Sequence, residues 1–227
     1  MEAHEKIQFP NRTLKAENLA CRRGGRTVFE GLRFELEAGA CLHLKGNNGS
    51  GKSTLLRLLA GLLPALQGSV MSGGLSLQGA EAARSGLMIY SGHKHGLKNI
   101  LTLQENCAAF HKLMTGDPLS GAVLERAAVT FGLRDLVDQP LQYFSSGQTH
   151  RCALLRFLLI DRQIWLMDEP TVGLDSENRQ RLEAVMQSHL KRGGVIVAAS
   201  HDPLGIPVQA LDLADFTAGS SHLEHWL

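Results

Sequence analysis

The residues Gly46-Asn47-Asn48-Gly49-Ser50-Gly51-Lys52-Ser53 carry the spacing Gly-x-x-x-x-Gly-Lys-Ser/Thr, and that spacing constrains the chain on both sides of itself. Its glycines let backbone N–H groups come close to phosphate oxygens. A helix opening directly behind them adds unpaired N–H groups and the positive end of its dipole. The loop should therefore leave a strand and enter a helix. Ala40-Cys41-Leu42-His43-Leu44 ahead of it reads as the strand, and the helix-forming run Thr54–Leu63 behind it ends at Pro64. The arrangement predicts binding of a nucleoside triphosphate. Lys52 would neutralise the β and γ phosphates, Ser53 would offer its hydroxyl to Mg²⁺, and Thr54 would reach the α-phosphate.

By itself this loop leaves the reaction open, because many unrelated activities use it. A second site narrows the choice. Ile164-Trp165-Leu166-Met167-Asp168-Glu169 is four apolar residues and two acids, which suits a buried strand delivering carboxylates to the C-terminal edge of a parallel sheet. Asp168 would hold the metal through water. Glu169, one residue further on, would accept a proton from the water that attacks the γ-phosphate. Read alone, an acidic pair of this kind is an ordinary strand end turning into solvent, and it takes on chemical meaning only with the loop at residues 46–53.

A third element, Phe144-Ser145-Ser146-Gly147-Gln148, precedes the helical run Arg151–Leu159. On its own it could be a helix cap. It resembles the LSGGQ signature of the ABC ATPase family, with Phe144 for leucine and Ser146 for the first glycine, and it stands just upstream of the acidic pair as in that family. The resemblance implies that Ser145, Ser146, Gly147 and Gln148 of one subunit face the nucleotide held by another. Val172-Gly173-Leu174-Asp175 is similar to the family's D-loop, with Asp175 as its acid. Ser200-His201-Asp202, after the apolar run Val195–Ala199, is similar to the switch-histidine segment, so His201 would bond the γ-phosphate. The five elements occur in the family's order over about residues 14–203.

This resemblance implies a P-loop NTPase of the RecA-like α/β class: an ABC nucleotide-binding domain with an antiparallel β portion and an inserted α-helical subdomain. The 227 residues suit one such domain, and a paired cassette would need about double. Leu14–Cys21, Leu32–Glu37, Ala40–Lys45 and Leu87–Tyr90 read as strands, and Gly68–Leu77 adds more around a Gly73-Gly74 turn. A capping box of Thr102 and Glu105 opens a helix toward Met114, and Ser120–Phe131 forms a second. No strand separates them from the signature helix beginning near Gly147. The expected division is thus a core of residues 1–90 and 160–227 with a helical subdomain over about 91–159. A helix from Asp175 to Arg192 should end at Gly193-Gly194. The tail from Val208 to Leu227 carries no readable pattern.

Net charge is +1, with no block of like charges, which gives no electrostatic basis for nucleic-acid binding. Four scattered cysteines without a Cys-x-x-Cys pair suit reduced thiols and a cytoplasmic setting. The N-terminal residues lack a signal peptide's apolar core, and the longer apolar runs are broken by charges or proline, so the chain is not expected to cross a membrane.

Two positions depart from the ABC pattern. His93 stands where that family has a glutamine joining core and helical part; a neutral imidazole can still ligate a metal or orient water. Arg23 stands where many members stack an aromatic ring on adenine; its guanidinium could stack on a base or be a solvated loop charge, which leaves base preference open. The segment Gly92-His93-Lys94-His95-Gly96-Leu97-Lys98 is similar to the Gly-His-x-x-Gly-Ile/Leu-Lys segment of the CcmA family, the ATP-binding subunits of haem exporters in cytochrome c maturation. That resemblance implies ATP and Mg²⁺ as cofactors and a homodimer of ATPase subunits. It also implies an integral membrane partner resembling CcmB with other cytochrome c maturation proteins, and a peripheral position on the cytoplasmic face of the bacterial inner membrane. Motor action for another small cargo such as a lipid or peptide, a regulatory module binding ATP as a switch, and a phosphotransferase remain as alternatives. The Asp168-Glu169 pair speaks against the switch, and no lid-arginine pattern supports the phosphotransferase.

Overall fold

The computed structural model describes residues 8–81 and 86–217. At its centre lies a parallel sheet in the order β6-β7-β8-β3-β9. Its strands are β3 (Cys41–Lys45), β6 (Met88–Ser91), β7 (Ile164–Asp168), β8 (Val195–Ala199) and β9 (Gln209–Asp212). Every residue of β7 and β8 is buried, as inner parallel strands covered on both faces must be. The two-residue period then divides their side chains between two cores. Leu42, Leu44, Ile164, Leu166, Val195, Val197 and Ala199 share one core with Leu55, Leu56, Leu58 and Leu59 of α1 (Lys52–Leu59). Cys41, Trp165, Met167, Ile196 and Ala198 belong to the other.

The first core is completed by an antiparallel sheet, β2-β1-β4-β5, of β1 (Leu14–Arg23), β2 (Arg26–Leu36), β4 (Gln67–Ser72) and β5 (Leu75–Ser76). Leu14, Leu19, Phe29, Leu32 and Val70 supply its buried side chains. Strand β2 starts six residues before the expected Leu32. Gly31, at φ 68°, interrupts the alternation that marks a strand in sequence, and β1 absorbs the break through shifts of register between Ala16 and Arg22.

The second core is covered by α2 (Leu103–Thr115), α3 (Gly121–Thr130), α4 (Ser146–Leu154), α5 (Arg156–Leu159) and α6 (Ser176–Lys191). The expected capping box opens α2: Glu105 N–H donates to Thr102 Oγ1 at 3.1 Å and Thr102 N–H to Glu105 Oε2 at 2.8 Å. A second box, of Ser145 and Gln148, opens α4. The helical run expected over 151–159 breaks at Leu155 into α4 and α5. Part of the unreadable tail is strand β9, paired in parallel with β3. Only Leu211 of it is buried, so this edge strand shows no apolar pattern to read. The last ten positions of the tail lie outside the described residues. No described helix is long and apolar enough to cross a membrane.

Candidate nucleotide site

Four strand ends of the parallel sheet converge at its C-terminal edge. Strand β3 releases the glycine-rich loop, β6 leads to Gly92-His93, β7 ends at Asp168 with Glu169 beyond it, and β8 leads to Ser200-His201. Together they bound a cleft of about 590 Å³, lined by Asn48, Gly49, Ser50, Gly51, Lys52, Ser53, Thr54, His93, Asp168, Glu169, Val172, His201 and Asp202.

The loop's shape depends on glycine. Gly51 has φ 105°, and a Cβ there would sit 2.5 Å from Val28 Cγ1 of β2, so the antiparallel sheet presses the loop against the start of α1. Lys52 is buried, and its Nζ donates to the carbonyls of Gly46 (2.6 Å) and Asn47 (3.2 Å). Those bonds fold the ammonium back across the loop, where a triphosphate's oxygens would meet it. Gly46 and Asn47 thus act through carbonyls on Lys52 and do not line the cleft.

Ser53 Oγ donates to Asp168 Oδ1 at 3.0 Å, which ties the start of α1 to the end of β7. Asp168 Oδ2 is buried and has no hydrogen-bond partner among the described residues. An unpaired carboxylate oxygen in such a place is costly. A hydroxyl beside a half-satisfied carboxylate is a set of hard oxygen donors, and it fits Mg²⁺.

Glu169 departs from ordinary backbone geometry. Its φ is 52°, a left-handed conformation that costs a non-glycine residue ~1–3 kcal/mol. The N–H of Glu169 donates to Ala199 O at 2.8 Å, which helps hold this turn. Its carboxylate then meets the β8 end: His201 N–H donates to Glu169 Oε2 at 3.4 Å, and His201 Nε2 lies 3.7 Å from Oε1. The same Nε2 bonds to Asn48 Oδ1 at 2.7 Å. The acceptor oxygen requires the imidazole to carry its proton there. Behind His201, the buried His43 of β3 bonds through Nε2 to Ser200 O at 2.8 Å, and the hydroxyls of Ser200 and Thr171 meet at 2.9 Å. The acid, the histidine and the loop asparagine are thereby held in one connected set.

The structure brings together Asn48 through Thr54, His93, Asp168, Glu169 and His201. It leaves Ser145, Ser146, Gly147, Gln148, Asp175 and Arg23 outside the cleft of the single chain. Ser145 and Gln148 cap α4 reciprocally, and Ser146 is its first residue. A Cβ on Gly147 would lie 3.1 Å from Gly173 O, so α4 begins against the loop that carries Val172. Asp175 caps α6, its Oδ1 accepting from the backbone N–H and side-chain amide of Asn178, both at 2.8 Å. These bonds hold its carboxyl below the usual range. Arg23 lies exposed at the β1–β2 turn, paired across the ladder with Arg26. Two cleft residues, Val172 and Asp202, stand within the segments read as D-loop and switch histidine, but neither is assigned a role at the site by the sequence alone. Asp202 is oriented by Arg179 of α6 at 2.6 Å.

Comparison with known proteins agrees with this geometry. The family model described as ABC transporter matches residues 29–172. The chain is 43% identical over 195 residues to the cytochrome c biogenesis ATP-binding export protein CcmA of Chelativorans sp. (strain BNC1), covering 85% of this chain and 93% of that one. It is 41% identical to the CcmA of Rhizobium meliloti (strain 1021), covering 89% and 98%. Among solved structures, a bacterial Atm1-family ABC exporter with ATP bound superposes with a TM-score of 0.79 at 22% identity, over 90% of this chain and 38% of that one. An ATP-binding subunit of an ABC transporter superposes with 0.71 at 27% identity, over 83% and 79%. With a phosphate loop, an acidic strand end and a histidine gathered in one cleft of this fold, the chain is an ATPase of the ABC transporter family and belongs to its CcmA branch.

Proposed function

We propose that this ATPase is the motor subunit of a membrane complex serving cytochrome c biogenesis, and that its ATP cycle supports the export or delivery of haem. In this reading the backbone of Asn48–Gly51 and the side chain of Lys52 bind the triphosphate, with Gly46 and Asn47 holding Lys52 through their carbonyls, and Thr54 reaches the α-phosphate. Ser53 and Asp168 hold Mg²⁺, which when bound neutralises charge on the β and γ oxygens. Glu169 takes the proton from the attacking water. His93 and His201 face the γ-phosphate, and Asn48 holds His201 in position for it.

Two copies complete the machine. Ser145, Ser146, Gly147 and Gln148 are absent from their own chain's cleft, although the N-terminus of α4 is suited to a phosphate. In a homodimer each copy's α4 start closes the other's nucleotide site, with Asp175 at the seam. The cargo path belongs to an integral membrane subunit resembling CcmB, on which the ATPase sits at the cytoplasmic face of the bacterial inner membrane.

The observation that carries this reading is the joining of Glu169, His201 and Asn48 beside the Ser53–Asp168 pair. Glu169→Gln keeps the side chain's size and removes the base. Turnover should fall at least tenfold, toward the ~10²–10⁴ range of a general base, while ATP affinity stays unchanged. Wild-type turnover in that variant would overturn the role of Glu169.

A further inference from the structure

Next to the nucleotide cleft, but outside its lining, two histidines meet. His95, on the segment that carries His93, approaches His150 of α4, with Nε2 to Nδ1 at 3.4 Å and ring centroids 5.1 Å apart. His150 is buried, and its Nε2 is 2.9 Å from Pro170 O. Pro170 follows Glu169. This contact therefore links three segments of the site: the loop after β6, the start of the signature helix, and the turn that aims the base.

The direction of the bonds follows from chemistry. A carbonyl only accepts, so His150 Nε2 carries a proton and donates to Pro170 O. In the neutral ring Nδ1 is then a lone pair, and His95 Nε2–H must donate to it. Both rings are held neutral by burial, which pushes the pKa of each below its ordinary value. The chain of bonds runs one way, from His95 through His150 to Pro170. The loop end is also anchored, because the Arg156 guanidinium donates to the carbonyl of His95 while lying over the Phe110 ring at 5.0 Å.

We propose that His95 and His150 form a positioning relay that sets the Glu169-Pro170 turn and the His93 loop together, so that the base and the cleft histidine move as one unit with the start of α4. The glycine-rich loop and α1, which bind the phosphates, take no part in the relay. Breaking it should impair the chemical step and spare nucleotide binding. The inference rests on Glu169 as the base. It adds that His150, a residue that does not line the cleft, governs how well that base works.

The test compares His150→Ala, His150→Gln, His95→Ala and the His95→Ala/His150→Ala pair with Glu169→Gln in the full chain, measuring kcat, KM for ATP and melting temperature. His150→Ala should lower kcat by about tenfold or more with KM within about twofold. Gln can still donate an N–H to Pro170 O, so His150→Gln should recover most of the loss. The double variant should be no slower than His150→Ala, since contacts acting as one unit are not additive. Unchanged kcat in His150→Ala, a loss that glutamine does not rescue, or a fall in kcat matched by an equal loss of ATP binding would each overturn the relay. If His150→Ala does not fold, His95→Ala decides alone: a lowered kcat at constant KM supports the relay, and wild-type kcat overturns it. A slow Glu169→Gln beside a normal His150→Ala removes the relay and keeps the base, whereas a fast Glu169→Gln removes the base itself.

Discussion

His189, far from the cleft, shows how much one side chain of this protein can tie to pH. It stacks on Trp165 with centroids 3.7 Å apart and planes 13° from parallel, and its Nε2 bonds to Gln163 O at 3.0 Å. Burial pushes its pKa down to about 4. Between that value and the ordinary 6.5, the unfolded chain binds a proton that the folded chain refuses. Stability is therefore full above about pH 6.5 and is lost as pH falls toward 4, by on the order of 3 kcal/mol from this residue. Urea unfolding of the wild type at pH 7 and pH 4.5 should show that fall, and His189→Gln should show a smaller one. An equal fall in both proteins would remove His189 as the cause. Glu169 is the opposite kind of residue: its left-handed backbone spends stability to aim a carboxylate, the usual compromise at a working site.

At the scale of elements, the start of α4 has two duties. Ser145 caps the helix in its own chain, and in the proposed dimer it also meets the partner's phosphate. Ser145→Ala should cost ~1 kcal/mol of stability as a lost cap. If the second duty is real, turnover should also drop at least tenfold, more than a cap alone explains. Urea melts and ATP turnover on one preparation separate the two, and normal turnover in a destabilised variant would leave Ser145 as a cap only. The elements also show what the sequence made legible. The loop at 46–53, the Thr102 box and the acidic end of β7 could be read because each is local: a spacing, a cap or an apolar run held within a few residues. Strand β9 could not, because its one buried residue, Leu211, leaves no period, and the reading of β2 stopped short because Gly31 breaks its alternation. The His95–His150 contact was hidden for another reason. Its partners lie 55 residues apart; His95 stands at a variable position of the 92–98 segment and His150 inside the signature helix, and no spacing joins the two.

At the scale of the molecule, one central sheet separates two cores. The α1 side holds the phosphate loop against the antiparallel sheet, and the helical side carries α4 and its signature start. Strands β7 and β8 serve both cores through alternate residues, so the sheet is the common support of the nucleotide cleft and of the helical side that carries α4. Truncating Leu166, which is fully buried in the first core, should cost ~2–5 kcal/mol. A urea midpoint shift well below that would mean that the α1 side carries less of the fold than its packing indicates. The proposed pairing is the claim on which the motor depends, since the signature residues have no nucleotide to meet within one chain. Light scattering on the Glu169→Gln chain, saturated with ATP and Mg²⁺, measures it directly. A mass twice that of one chain is expected, returning to that of a single chain when Ser145 is also replaced by Arg. A single-chain mass with ATP bound would contradict the pairing.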